Sequence, residues 1–342
     1  MGLLVLRRIS VSAARVCAGG FLWAALAGGA RAQQAGGAPA TAPGAPAAKV
    51  RIADGFSTDW ANLTIEVHEL GPGVYLLHGS GGNTLASIGP EGTLLVDAEY
   101  AEVAPKLKAA LAKLGAGPVR YVISSHYHGD HTGANAAFHA DGAVVVGQEN
   151  CRLRMTESRT SGMTGKTSPP APVASWPTVT YDKRMALYLN GEEMEATNKQ
   201  PSHTDGDTIV YFRHANVVHM GDVFVNNLYP FIDLGAKGTV DGYMPVIDEV
   251  LARIDDKTQV VPGHGPLATK AELKAYRDMI QTVRDRVAAQ VAVGKSLEEI
   301  LASKPTREFD AQYATDRVGG DGFTGTVYQS LTGKRMDWRA VK

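Results

Sequence analysis

Apolar and polar positions alternate over short runs through much of the chain. Such alternation is typical of half-buried β-strands, because successive side chains of a strand point to opposite faces of the sheet. Glycine-rich turns separate the runs. The pattern predicts strands over 63–67, 74–77, 83–88, 93–97, 119–124, 143–146, 185–189, 208–212, 217–220 and 259–261.

Apolar residues spaced three and four positions apart predict helices between and after these strands. In the segment 102–114, for example, Val103, Leu107, Leu111 and Leu114 share one helical face. The same spacing predicts helices over 148–155, 246–254, 272–293 and 297–301, and a short helix that ends near Phe138. Strands in blocks with helices after each block predict an α/β protein with two sheets and helices outside them.

The first 32 residues have the composition of an export signal. Arg7 and Arg8 precede an apolar stretch, 16–26, and Ala30-Arg31-Ala32 has the small-residue pattern of a cleavage site. The stretch is too short for a permanent membrane helix. We therefore expect cleavage after Ala32, a periplasmic or secreted protein by the Sec or twin-arginine route, and no membrane anchor. A retained N-terminal anchor is the alternative.

Residues 33–48 contain mostly Ala, Gly and Pro and carry no charge, which predicts a disordered spacer. Residues 49–342 then form one domain of sufficient length for a large core. The chain of 342 residues has 34 basic and 35 acidic side chains and no basic stripe, which argues against nucleic acid as a partner. Of its two cysteines, Cys17 lies in the export signal, so Cys151 is expected to be a buried thiol without a disulfide.

The segment 156–177 is rich in Ser, Thr, Gly and Pro and predicts a long surface loop. In enzymes such loops often form a lid or a wall of the substrate cleft.

Four potential metal ligands stand within six residues directly after the predicted strand 119–124. The sequence there is His126-Tyr127-His128-Gly129-Asp130-His131. Imidazole and carboxylate together are ligands for borderline metals such as zinc. Backbone alternation places His126 and His128 on one side, where they can share an ion. Asp130 and His131, one step further along the chain, can then bind a second ion.

Three further potential ligands lie where predicted strands begin or end, each beside residues that let the backbone turn. They are His203 in Ser-His-Thr-Asp-Gly-Asp, Asp222 in Met-Gly-Asp, and His264 in Pro-Gly-His-Gly. Strand ends that meet at one edge of a sheet are a common place for a functional site. His219, three residues before Asp222, is a candidate for a supporting contact.

Taken in order, these four motifs resemble those of the metallo-β-lactamase superfamily, over about residues 63–266. The resemblance implies a four-layer αββα sandwich. It also implies that His126, His128 and His203 hold one Zn²⁺, that Asp130, His131 and His264 hold a second, and that Asp222 bridges them, as in glyoxalase II-like hydrolases. The region after Pro266 does not match the glutathione-binding tail of glyoxalase II.

A site with two zinc ions per monomer predicts that the protein is a hydrolase. They lower the pKa of a shared water from ~16 to near 7, and the resulting hydroxide attacks a carbonyl that the ions polarise. We expect a small-molecule ester, thioester, lactone or similar substrate, with Asp130 as the candidate that returns a proton to the leaving group. A phosphoester or sulfate ester is a further alternative.

Three other functions remain alternatives. A class-B-like β-lactamase is one, although one β-lactamase subclass has Cys at the position of Asp222 and the others lack a bridging Asp. A zinc-binding or sensor protein without turnover is the second. A diiron oxygen-reducing site is the third, but those proteins carry a carboxylate at the position of His128 and a flavin domain that the chain does not show.

The loop after Asp222 is expected to border the metals and to select the substrate. Its candidate pocket residues, together with one from the metal motif, are Tyr127, Asn226, Asn227, Tyr229 and Phe231. The sequence favours no particular substrate or oligomeric state.

Overall fold

Two β-sheets packed face to face form the centre of the protein. The computed structural model describes residues 59–160 and 167–334, so the predicted export signal, the spacer and the domain boundary at 49 lie outside the described residues. The described strands are β1 Glu66–Gly71, β2 Val74–His78, β3 Thr84–Gly89, β4 Gly92–Val96, β5 Val119–Ser124, β6 Val144–Gln148, β7 Arg159–Thr160, β8 Thr167–Ser168, β9 Val179–Tyr181, β10 Arg184–Leu189, β11 Glu192–Thr197, β12 Ile209–Phe212, β13 Val217–His219 and β14 Gln259–Val261.

The first sheet has seven strands in the order β1-β2-β3-β4-β5-β6-β9, and the second has five in the order β10-β11-β12-β13-β14. Pairing is antiparallel from β1 to β4 and parallel from β4 to β9. In the second sheet only β13 and β14 are parallel. A small hairpin of β7 and β8 stands apart from both sheets.

Helices cover the outer faces of the two sheets. Their bounds are α1 Ala104–Lys113, α2 Gly129–Thr132, α3 Asn135–Ala140, α4 Glu149–Met155, α5 Val240–Arg253, α6 Lys270–Ala292, α7 Leu297–Ala302, α8 Asp310–Tyr313 and α9 Gly320–Thr332. Within the described residues no helix is both long and apolar enough to cross a membrane.

Alternation along the strands divides the core into three apolar layers. In β4, Leu94 packs between the sheets, whereas Leu95 faces the layer that contains Leu107 of α1. In β12, Phe212 packs between the sheets and Tyr211 faces α5 and α6. Because each sheet is covered on both faces, the architecture is the expected four-layer αββα sandwich, and the predicted fold class is confirmed.

Several elements differ from the sequence-based prediction. Helix α5 begins at Val240, six residues earlier than predicted, because the Thr239 side chain accepts a hydrogen bond from Gly242 N and starts the helix there. Gly242 and Pro245 are unfavourable inside helices, so the sequence pattern did not predict this first part of the helix. The segment 156–177 was predicted as a long surface loop, but it contains β7, β8 and a 3₁₀ turn at Val173–Ser175.

Candidate metal centre

The potential metal ligands meet at one edge of the two sheets. They are His126 and His128 after β5, Asp130 and His131 in α2, His203 before β12, Asp222 after β13 and His264 after β14. The backbones approach closely at this edge: a Cβ atom on Gly263 would lie 2.0 Å from Asp222 Oδ1. Glycine at 263 is therefore required for the strand end of β14 to pass beside the Asp222 carboxylate.

The seven side chains form two groups. Within each group, the candidate ligand atoms lie within 4.8 Å of one another. The first group contains His126, His128, His203 and Asp222, and the second contains Asp130, His131 and His264. All are buried or half-buried. The structure thus brings together all seven potential ligands.

Asp222 lies between the two groups. Its Oδ1 is 3.2 Å from His131 Nε2 and 3.5 Å from His264 Nε2, in the second group. Its Oδ2 is 3.6 Å from His203 Nε2 and 4.0 Å from His126 Nε2, in the first group. One oxygen therefore faces each set of ligands, which is the geometry that a bridging carboxylate requires.

Neighbouring groups orient the histidine rings of the first group. His203 Nδ1 donates to the Phe231 carbonyl at 2.6 Å. His128 Nε2 donates to Asp233 Oδ2 at 3.0 Å. When the ring is neutral, a nitrogen that donates leaves the other nitrogen with a free lone pair. His203 Nε2 and His128 Nδ1, only 3.0 Å apart, therefore present lone pairs to the same point.

Asp97 orients one ring of each group. His131 Nδ1 donates to Asp97 Oδ2 at 2.7 Å, which leaves His131 Nε2 directed at Asp222. The Ser125 hydroxyl also donates to Asp97 Oδ2, at 2.7 Å, so its oxygen can accept from His126 Nδ1, 3.0 Å away. His126 Nε2 is then the free ligand atom.

The electrostatics of the two groups differ. Burial lowers the pKa of His126 and of His203, which keeps both rings neutral. Burial acts in the same direction on His131, but Asp222, Asp97 and Asp130 outweigh it and raise the pKa of His131 well above its usual value. Without metal, a proton on His131 therefore balances the carboxylates of the second group.

These features fit bound metal ions. Asp222 Oδ1 is buried and, in the part of the chain that the structure describes, accepts no hydrogen bond from a neutral neighbour. A buried carboxylate oxygen without a donor is costly, so the site demands positive charge from either an imidazolium or a metal. Nitrogen and oxygen donors at this spacing suit Zn²⁺ and related ions.

The residues predicted to line a pocket have different surroundings. Phe231 is 37% exposed, and its ring centre lies 6.0 Å from those of both His128 and His203. Tyr127 is buried, and its hydroxyl donates to Asp233. Phe231 thus borders the ligands directly, while Tyr127 lies behind His128.

The other three candidates have structural contacts away from the ligand atoms. Asn226 is buried, and its amide donates to the Pro266 carbonyl. Asn227 is exposed with φ 61°, and its side-chain oxygen accepts from Gln312. Tyr229 is 2% exposed and stacks on Phe323 at 5.0 Å. These contacts hold the loop against Pro266, α8 and α9, and none of them is to a potential metal ligand.

Two carboxylates that contact the ligands were not singled out from the sequence. Asp97 follows β4, as Asp222 follows β13, so its position at a strand end was a usable signal. Asp233 lies in the loop after Asp222, and only the folded contact with His128 distinguishes it. His219, the candidate for a supporting contact, is buried. Its Nε2 lies 3.8 Å from Asp97 Oδ2 and donates to the Asn83 carbonyl.

Comparison with known families identifies the chain. The family model of the metallo-beta-lactamase superfamily matches residues 74–264. The chain belongs to the metallo-beta-lactamase superfamily. The match begins at β2 and ends at His264, so it includes all seven potential ligands, and the predicted family is confirmed.

Individual relatives are distant. The chain is 26% identical over 152 residues to the 2,4-dinitroanisole O-demethylase subunit alpha of Nocardioides sp. (strain JS1661), an alignment that covers 44% of this chain and 43% of that protein. It spans less than half of that relative.

Solved structures share the fold. The stereoselective inverting sec-alkylsulfatase Pisa1 from Pseudomonas sp. aligns with TM-score 0.59 and 19% identity, over 79% of this chain and 50% of that one. A metallo-beta-lactamase from Pontibacter korlensis aligns with TM-score 0.51 and 18% identity, over 64% of this chain and 99% of that one. The DIM-1 metallo-beta-lactamase gives 0.53 and 17%, over 65% and 99%. At these identities the similarity concerns the fold alone.

Proposed function

We propose that the protein is a two-zinc hydrolase that cleaves an activated carbonyl compound, such as an ester, a thioester or a lactone. The position of Asp222 is the observation that carries this proposal, because its two carboxylate oxygens face different ligand groups. Together with the histidines of both groups, Asp222 would hold a pair of ions that supply an activated water molecule for hydrolysis.

The chain's own residues provide the environment for the reaction. When bound, a pair of zinc ions acts as a Lewis acid and lowers the pKa of water to near 7. The neutral rings of His126 and His203 would hold one ion without cancelling its charge. Phe231 offers an apolar contact beside the same ligands. Asp130 Oδ2 lies 3.3 Å from His264 Nε2, where it can hold an ion or pass a proton to a leaving group.

A substrate panel combined with metal analysis tests the proposal. The zinc-loaded protein would be assayed with 4-nitrophenyl acetate, an acyl thioester, a lactone, a cephalosporin and a secondary alkyl sulfate. We expect turnover of at least one of the first three, lost on treatment with a chelator and restored by zinc. Turnover of the alkyl sulfate alone would refute the carbonyl substrate class, and turnover of the cephalosporin alone would favour the β-lactamase alternative over an ester, a thioester or a lactone. Full metal loading without turnover of any compound would favour the zinc-binding or sensor alternative.

We also propose that the protein acts in the periplasm or is secreted. The supporting observations are Arg7-Arg8, the apolar stretch and Ala30-Arg31-Ala32. N-terminal sequencing of the protein from the periplasmic fraction should give Gln33 as its first residue. Intact Met1 on protein from the cytoplasm would contradict this proposal.

A further inference from the structure

Arg159 places a cation close to the first ligand group. It opens β7, and its guanidinium carbon lies 3.7 Å from the ring centre of Tyr127. The Tyr127 ring in turn packs against the His128 ring, with 4.4 Å between their centres. Arg159 is therefore separated from a metal ligand by one aromatic ring.

Nearby carboxylates leave the charge of Arg159 incompletely balanced. Asp205 pairs with Arg154 at 2.7 Å. Asp233 accepts hydrogen bonds from the Tyr127 hydroxyl and from His128 Nε2. Among the described residues, none forms an ion pair with Arg159, and its Nε is buried without a hydrogen-bond partner. Burial lowers the pKa of Arg159, and the attraction of Tyr127 and Asp233 offsets this only in part.

Stacking on Tyr127 orients the guanidinium for a ligand. With one face against an aromatic ring, the guanidinium holds the N–H groups at its edge in one plane. Such a fork matches two oxygens of a carboxylate or of a tetrahedral oxyanion, and little side-chain entropy remains to be lost on binding. A half-buried cation that forms no ion pair with the described residues also gains more from an anionic ligand than a hydrated cation does.

We propose that Arg159 binds an oxyanion group, a carboxylate or a sulfonate or sulfate, at one end of the substrate while the reacting carbonyl lies at the metals. The exposed ring of Phe231, beside His128 and His203, offers an apolar contact to the carbon chain of such a substrate. The hydrolase then prefers anionic substrates over neutral ones of the same length. This inference depends on the proposed function for the reaction at the metals but not for the binding of the anion.

Isothermal titration of the zinc-loaded protein measures the anion contact separately from turnover. The probes are butyrate, which has one carboxylate, and three dicarboxylates of increasing chain length, namely succinate, glutarate and adipate. 4-Sulfobutanoate replaces one carboxylate of glutarate by a sulfonate and distinguishes the two oxyanions. We expect the best two-ended ligand to bind about tenfold more tightly than butyrate, as for a charge-assisted hydrogen-bonded pair.

The variant Arg159→Gln should lose this advantage. Direct binding of carboxylates to the metals remains in the variant, so the ratio of the two affinities isolates the contribution of Arg159. Arg284→Gln removes the same charge from α6, where Arg284 pairs with Asp241 at 2.8 Å, and should keep the wild-type ratio. Arg159→Lys, which retains the charge without the fork, should keep part of the advantage and replaces Arg159→Gln if that variant does not fold. A wild-type ratio in both Arg159 variants would overturn the proposal.

Kinetics distinguish this inference from the proposed function. The matched substrates are 4-nitrophenyl butyrate and mono-4-nitrophenyl glutarate. Arg159→Gln should raise KM for the glutarate ester about tenfold more than for the butyrate ester. If Arg159 only supported Tyr127, both esters would lose kcat equally and the affinity ratio would stay unchanged. If neither ester reacts with the wild-type protein, the ester function fails while the titration still decides the role of Arg159.

Discussion

The carboxylate of Asp97 accepts a hydrogen bond from His131 Nδ1 at 2.7 Å, and this contact directs His131 Nε2 towards Asp222. Asp97 adopts φ 62° and also accepts from Ser125 N at 2.6 Å. Asp97 therefore orients the His131 ring of the second ligand group. It also holds the backbone at Ser125, directly before His126 of the first group. A carboxylate hydrogen-bonded to a metal-binding histidine raises the basicity of the ligand and sets its orientation.

Asp97→Asn should weaken binding of the second ion by about 10–100-fold, because the neutral amide supports His131 less strongly. Asparagine tolerates the left-handed backbone at this position, so the fold should persist. Competition with a chromogenic chelator measures the affinity. Asp141→Asn, which removes a surface carboxylate paired with Lys108, is the matched control. Unchanged affinity for both ions in Asp97→Asn would show that the contact does not support metal binding.

Asp222→Ala should lower kcat/KM by about 100-fold or more while the protein stays folded, because the variant loses the carboxylate between the ligand groups. The measurement combines kcat/KM on the best substrate, metal content and thermal unfolding. Asp248→Ala removes a carboxylate of α5 that pairs with Arg277, and it controls for loss of charge. Turnover close to wild type in Asp222→Ala would exclude the bridging role.

The strand pattern and the clustered ligands were predictable because both are local properties of the sequence. The strand over 119–124 matched β5, and the four ligands that follow it lie where the motif indicated. Elements whose stability depends on distant partners were missed. Strand β11 carries three glutamates, and its Glu195 is buried against Arg184, Arg213 and Arg253. These arginines come from other elements, so the charged sequence gave no sign of a central strand.

The limits of prediction at the site have the same origin. The motifs show which residue types lie at strand ends, but they do not show which way a loop side chain points. Tyr229 and Phe231 stand two residues apart, yet Tyr229 packs in the core and Phe231 lies beside the ligands. A single acidic residue such as Asp233 is common in loops, and its contact with His128 becomes visible only once the chain is folded.

In the absence of bound metal, the stability of the protein should depend strongly on pH. Burial acts to lower the pKa of His264, but Asp222 and Asp130 outweigh it and raise that pKa from 6.5 to about 9. The stabilisation by protonated His264 is complete below pH 6.5 and is lost as the pH rises through about 9. We expect the metal-free protein to lose about 3 kcal/mol of unfolding free energy over this window.

Urea unfolding at pH 6 and pH 9.5 measures the effect on metal-free protein. The zinc-loaded protein is the control, because bound metal replaces the proton as the partner of the carboxylates and should remove most of the pH dependence. If the metal-free protein is equally stable at both pH values, the second ligand group is not held together by protonated histidine.

Glu99→Gln should change the pH dependence of stability in a different window. Glu99 is fully buried, and Gly81 N donates to its Oε2 at 2.5 Å. Burial, opposed by hydrogen bonds from the Gly79–Gly81 backbone, raises the pKa of Glu99 from 4.5 to about 7. An acid with a raised pKa in the folded state is destabilising once it must ionise. The wild type should therefore lose stability relative to Glu99→Gln as the pH rises from 4.5 to 7, by about 3 kcal/mol.

The test compares the difference in unfolding free energy between the metal-free wild type and Glu99→Gln at pH 4.5 and pH 8. His264 and the other titrating groups are present in both proteins, so their contributions cancel in this difference. A glutamine amide also faces the N–H donors of Gly79–Gly81 less favourably, but that cost is the same at every pH. Glu298→Gln, which removes an exposed carboxylate of α7, is the matched control. A pH-independent difference for Glu99→Gln would mean that the carboxylate of Glu99 ionises in the fold as readily as in the unfolded chain, and that its backbone donors balance its burial.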